Sequence, residues 1–207
     1  FTMKLVHGYT LRELFNYRQR YDFSQLMNVI VQVGNALGYA HSAGVVHRDI
    51  KPDNILIGPY GEVLLLDWGL AKVWHREDAS ASIGGNLPDL DIGIAMTNAG
   101  KLQGSVMYMS PEQIDREPDI DARSDIYSLG AVMYEALTGR TPFTGQLVRK
   151  ILEDVRDKLP DVPSHFGNLE IPKVLSELTM RCLSKNPNAR PASAEEVIRI
   201  IQHNWAP

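Results

Sequence analysis

The sequence predicts an α+β fold that is mainly α-helical, with one small β hairpin ahead of the larger helical part. Three observations predict it. Apolar residues recur at helical spacing behind capping signals in several stretches. Two short apolar runs, "NILI" and "EVLLL", flank the turn "GPYG" and read as a hairpin. The chain beyond Pro118 carries only helical patterns and shows no internal repeat.

Taken in order, Thr2 to Val6 reads as a short strand. "TLRE" at Thr10–Glu13 is a capping-box pattern that opens a short helix. Asp22 and Gln25 repeat the signal, and Leu26, Ile30, Val33, Leu37 and Ala40 follow on one helical face until Gly44 stops it. The hairpin comes next and sets Asn54 and Asp67 at the same end of two paired strands. Residues 75–105, rich in Ser, Gly, Asp, Ala and Asn without a sustained period, read as a mobile surface loop. Ile126, Leu129, Val132, Met133, Ala136 and Leu137 predict a helix with a broad apolar face, ended by Gly139. Leu147, Ile151, Leu152 and Val155 mark another. Pro172 suits the first turn of a third, carrying Val174, Leu175 and Leu178. "SAEE" at Ser193–Glu196 caps the last, with Val197, Ile198 and Ile201.

Composition narrows the function classes. The chain has 207 residues, 44% of them hydrophobic, and a net charge of −4, with no basic stretch of the kind nucleic-acid binders show. Cys182 is the only cysteine, which excludes an internal disulfide and fits a reducing compartment. It lies on an apolar helical face and reads as core. The histidines are scattered without cysteine neighbours, which argues against a zinc site. No uninterrupted apolar run spans a membrane. The opening "FTMKLVHG" reads like the middle of a strand, so a piece of a longer protein is expected.

The chemistry is concentrated in "HRDIKPDN", His47 to Asn54, with "LLLDWG" soon after. Phosphoryl transfer needs positioning and charge neutralisation more than covalent chemistry. Asp49 offers a carboxylate to orient an acceptor hydroxyl and take its proton. Lys51 offers a cation for the transferring phosphate. Asn54 and Asp67 offer the hard oxygens that Mg²⁺ takes, one neutral and one charged.

With these residues in place, the chain resembles the eukaryotic-type (Hanks-type) serine/threonine protein kinases, with a lean toward bacterial members carried by "LLLDWGLAK". "GSVMYMSPEQ" resembles the family's substrate-docking segment, "SDIYSLGAVMYEALTGRTPF" its central buried helix, and "NPNARPAS" its late motif. The resemblance implies a kinase-like C-terminal lobe: a hinge at 1–8, a helical lobe over 9–207, and an activation segment at 67–112. No G-x-G-x-x-G loop and no "VAIK"-like strand occurs, so the N-terminal β lobe is expected to be largely absent and the chain alone inactive.

The resemblance also implies roles. Asp49 is the catalytic base and Lys51 its partner cation; Asn54 and Asp67 hold the metal. Met3 stands as gatekeeper, and Lys4, Leu5 and Val6 as the hinge that reads adenine. Arg48 receives an activation-segment phosphate, for which Ser80, Ser82 and Thr97 are candidate carriers, and Ser105 stands near the base. His47 and Gly69 are structural, Glu112 and Arg190 form a buried ion pair, and Asp125 holds the catalytic-loop backbone. Trp68 replaces the usual phenylalanine in the same apolar role, and Ser110 replaces an alanine.

The implied activity is transfer of the ATP γ-phosphate to Ser or Thr hydroxyls of proteins, with Mg²⁺ or Mn²⁺. The implied partners are the protein substrates, the missing lobe of the same protein, and a second copy for trans-autophosphorylation. Nucleic acid and membrane are not expected partners, and the location is cytoplasmic, with room for a larger membrane-attached or multidomain parent. A pseudokinase scaffold is the first alternative, but no base or metal ligand is lost. A small-molecule phosphotransferase is the second, and Lys51 with "MYMSPEQ" argues against it.

Overall fold

In a computed structural model, residues 7–17, 22–73, 104–167 and 169–204 are described. The predicted strand at Thr2–Val6, the hinge residues Met3, Lys4, Leu5 and Val6, and the candidate phosphosites Ser80, Ser82 and Thr97 lie outside those residues. The class is α+β and mainly helical. Strand β1 (Tyr9–Thr10) leads into α1 (Leu11–Asn16), where Thr10 and Glu13 complete a reciprocal capping box. Asp22 and Gln25 do the same for α2 (Phe23–Ser42). Strand β2 (Val45–Val46) follows, then the polar loop, then the hairpin of β3 (Ile55–Ile57) and β4 (Val63–Leu65).

The strands frame the loop. β1, β3 and β4 form an antiparallel sheet in that order, with Ile55 opposite Leu65. One step beyond that pair, the Leu66 amide donates to the Asn54 carbonyl at 2.8 Å, so the ladder ends beside Asn54 and Asp67. On the other side, β2 pairs antiparallel with β5 (Lys72–Val73). The polar loop is thus strung between two short ladders, and its backbone is fixed at both ends.

The helices supply the core. A four-residue helix α3 (Pro111–Ile114) precedes α4 (Ala122–Thr138), and α5 (Val148–Asp157) follows. A two-strand ribbon, β6 (His165–Phe166) with β7 (Leu169–Glu170), leads to α6 (Lys173–Cys182) and α7 (Ala194–Asn204). α2 packs on α7, and α4 packs on α6 and α2. Gly44 and Gly139 end their helices at φ of 73° and 78°, conformations that cost a side chain and suit glycine.

Four expectations need correction. The part beyond Pro118 is not helical throughout, since β6 and β7 pair within it; α4 is buried as its resemblance implied, and its polar positions Ser124, Asp125, Ser128 and Glu135 each find a partner. Leu147 is no part of the α5 stripe. It takes an extended cap conformation and is 70% exposed. Pro172 sits just ahead of the first turn of α6, not within it. At α7, Ser193 caps the Glu196 amide at 3.3 Å, but the Glu196 carboxylate reaches back to the Ala192 amide at 2.8 Å, one residue short of a reciprocal box.

Cys182 is fully buried against Gly130, where an added Cβ would stand 2.5 Å from the cysteine Cβ. Burial pushes its thiol up to about 12, as befits a core residue.

Candidate active site

The loop after β2 is organised from beneath by one carboxylate. Asp125, fully buried in the first turn of α4, accepts the backbone amides of His47 and Arg48 at 2.8 Å each. Those two bonds hold Arg48 at φ 70°, a conformation that costs a non-glycine residue about 1–3 kcal/mol. The Arg48 carbonyl accepts from the Gln113 side chain at 2.7 Å, and Ser110 caps that same turn, so α3 and the loop are tied together. Ser110 therefore carries a capping hydroxyl where alanine would leave none. Asp125 also accepts from His41 Nε2 at 2.8 Å.

His47 is buried and bridges the two halves of the site. Its Nδ1 accepts the Asp49 amide at 3.2 Å, so Nε2 carries the proton and donates to the Leu66 carbonyl at 3.0 Å. Burial lowers its pKa, outweighing the facing carboxylates of Asp125, Asp49 and Asp67. The neutral form is the one that makes both bonds. The stability His47 contributes is therefore present above the ordinary value of about 6.5 and is lost as pH falls below it. In unfolding measurements, the stability gap between the protein and a His47→Gln variant should narrow from pH 7 to pH 5. A gap that stays constant would contradict the neutral bridge.

Above this frame the polar heads meet. Lys51 Nζ lies 2.7 Å and 3.0 Å from the two Asp49 oxygens and 3.2 Å from Ser105 Oγ. Asn54 Nδ2 donates to the Asp49 carboxylate at 2.9 Å and to its carbonyl at 2.8 Å. With both amide hydrogens turned to Asp49, the Asn54 carbonyl oxygen is the atom left for other chemistry. Asp67 takes a left-handed conformation, φ 59°, and its carboxylate accepts one long bond, 3.4 Å, from the Gly69 amide. Trp68 lies against His47 with ring centroids 4.4 Å apart, and its indole donates to the Leu65 carbonyl at 3.0 Å. The ring remains 39% exposed, so its apolar role is a partial one.

The arrangement suits a divalent cation with hard-oxygen preference. Asn54 supplies a carbonyl and Asp67 a carboxylate at the end of one ladder, and among the described residues no cluster of three or more His, Cys, Asp or Glu competes for it. Two protein oxygens are what Mg²⁺ asks for when phosphate and water complete its shell. Arg48 adds a further cation: its Nε is buried without a partner among the described residues, and burial lowers its pKa.

Helix α3 is anchored by a buried ion pair. Arg190 grips Glu112 through Nη1 at 2.5 Å and Nη2 at 2.8 Å, and its other donors reach the carbonyls of Ser184, Arg123 and Lys185. Burial would raise the Glu112 pKa, but Arg190 and Ser124 together hold it below the ordinary carboxylate value.

Two groups escaped the sequence reading. His41 was one of several scattered histidines until the fold set it on Asp125. Arg12, on α1, reaches Glu135 at 2.7 Å, Tyr108 at 2.5 Å and Asp53 at 3.4 Å. Neither has a local sequence signal, since their partners lie far along the chain.

The family model "Protein kinase domain" matches residues 1–206. The serine/threonine-protein kinase PknD of Protochlamydia amoebophila is 35% identical over 98% of this chain and 22% of its own length. The serine/threonine-protein kinase PknL of Mycobacterium tuberculosis is 39% identical over 93% of this chain and 43% of its own. A probable serine/threonine-protein kinase of Streptomyces coelicolor is 36% identical over 94% and 26%. The chain thus spans less than half the length of these relatives.

Proposed function

The chain belongs to the protein kinase family, and from that footing we propose that its protein transfers the γ-phosphate of ATP to Ser or Thr hydroxyls of protein substrates. The observation that carries the reading is the junction at Asp49, where Lys51 and Asn54 both bond the same carboxylate. The candidate cation and the candidate metal ligand each stand within hydrogen-bond reach of the candidate base. The printed names of the bacterial relatives support the Ser/Thr class.

In this reading the Asp49 carboxylate accepts the substrate hydroxyl, orients its oxygen, and takes the proton as the new O–P bond forms and the bond to the departing ADP oxygen breaks. Lys51, already beside Asp49 and Ser105, moves its charge toward the transferring phosphoryl group. Asn54 and Asp67 would hold Mg²⁺, whose chemistry is to neutralise and orient the phosphates. Asp125, through the His47 and Arg48 amides, keeps Asp49 in place. Arg48, whose Nε has no partner among the described residues, is suited to bind a phosphoryl group on the segment 67–112. Among the described residues no helix is long and apolar enough to cross a membrane. The ATP that the reading requires as donor is the ground on which we place the activity in the cytoplasm.

The test supplies the whole protein with γ-labelled ATP, Mg²⁺, and matched Ser, Thr and Tyr peptides. Label is expected on Ser and Thr. Label on small-molecule acceptors alone, or on Tyr alone, would overturn the reading.

A further inference from the structure

Beside the Asp49 junction lies a cleft of about 650 Å³ whose wall includes Lys51 and Ser105. A substrate held at Asp49 must set its flanking residues near this cleft. Its charged lining is unusual in one respect. Asp53 and Glu135 face it, yet the cation between them is the chain's own Arg12.

Glu135 is nearly buried, with its side chain 9% exposed, and both carboxylate oxygens are engaged: Oε1 by Arg12 at 2.7 Å and Oε2 by the Tyr108 hydroxyl. Tyr108 in turn accepts from Arg12 at 2.5 Å. Burial raises the phenol pKa, so it stays a neutral donor. Asp53, half exposed, meets the same guanidinium at 3.4 Å. Arg140 also lines the cleft, but its guanidinium is already paired with Asp161 at 2.8 Å. Among the described lining cations, Lys51 is paired with Asp49 and Arg140 with Asp161, which leaves Arg12 as the one that meets Asp53 and Glu135.

We propose that Arg12 is a specificity-determining residue: it occupies the place a substrate arginine or lysine would take, so the cleft admits uncharged or acidic residues flanking the acceptor hydroxyl. The inference rests on the kinase reading above and names the substrate class that reading leaves open. Discrimination of this kind works by a built-in penalty. A basic substrate side chain must either meet Arg12 as a like charge or displace it from a buried carboxylate. Without Arg12, Glu135 keeps its negative charge beside an open cleft and gains most from an incoming cation.

The experiment uses the whole protein and three serine peptide sets, identical except for Ala, Arg or Glu at the flanking positions. The readout is the ratio of kcat/KM for Arg-flanked over Ala-flanked peptides. Wild type should give a ratio at or below one. Arg12→Gln should raise it about tenfold, the effect of one charge-assisted hydrogen bond. Adding Glu135→Gln to that variant should return the ratio toward the wild-type value.

A purely structural Arg12 would lower kcat/KM for all peptides alike; an unchanged ratio would overturn the proposal. Should Arg12→Gln fail to fold, Asp53→Asn decides at an exposed position. It leaves the Arg12 charge less balanced and should raise the Glu-flanked over Ala-flanked ratio severalfold, and no change would overturn the proposal. A wild-type protein that phosphorylates none of the sets removes the kinase reading itself. One that phosphorylates them with ratios indifferent to these variants removes only the assignment of Arg12.

Discussion

Asp49→Asn lowers phosphotransfer about 10²–10⁴-fold, the usual worth of a positioned acid–base group. Nucleotide affinity should stay within a few-fold of wild type, because Asp49 is assigned to the acceptor hydroxyl and not to the nucleotide. The geometry says why the effect is large. Asp49 is the one carboxylate on which Lys51 and Asn54 both converge. Asparagine keeps the shape but supplies no proton acceptor, and it turns the Lys51 contact from attraction to a bare dipole. Steady-state transfer to a serine peptide and direct nucleotide binding, measured on the same preparation, separate the two quantities. Turnover comparable to wild type would refute Asp49 as base.

Arg190→Met destabilises the protein by about 3–5 kcal/mol, because it strands the buried Glu112 carboxylate. Both side chains are almost inaccessible, 0% for Arg190 and 7% for Glu112. The arginine also closes three backbone carbonyls that methionine cannot satisfy. Lysine would not rescue it, since one ammonium cannot make the paired bonds of the planar guanidinium. Thermal unfolding should show a midpoint lowered by about 10 °C or more. Adding Glu112→Leu should recover part of the loss, since no charge is then left without its partner. A single-variant shift of less than about 2 °C would mean that the pair contributes little to holding α3 in place.

What the sequence disclosed follows the range of each interaction. The boxes at Thr10–Glu13 and Asp22–Gln25 were legible because a cap is a matter of three residues. The hairpin was legible because "GPYG" separates two apolar runs, and with it the shared end of Asn54 and Asp67. The box at Ser110–Gln113 is of the same three-residue kind, and it explains the serine that stands there in place of alanine. The burial of α4 and the role of Asp125 were implied by the resemblance to a central buried helix, but the partners of its other polar positions were not legible. Nothing local to Ser124, Ser128 or Glu135 names the distant groups they bond. The roles of Arg12 and His41 were hidden for the same reason, their partners Glu135 and Asp125 standing 123 and 84 positions away.

The most direct measurement is an experimental structure of the whole protein with a non-hydrolysable ATP analogue and Mn²⁺, whose anomalous signal locates the metal. The account predicts a metal bonded to the Asn54 carbonyl oxygen and the Asp67 carboxylate at about 2.0–2.3 Å, with the terminal phosphate facing Asp49 and Lys51. A metal bound elsewhere, or a terminal phosphate remote from Asp49, would contradict it.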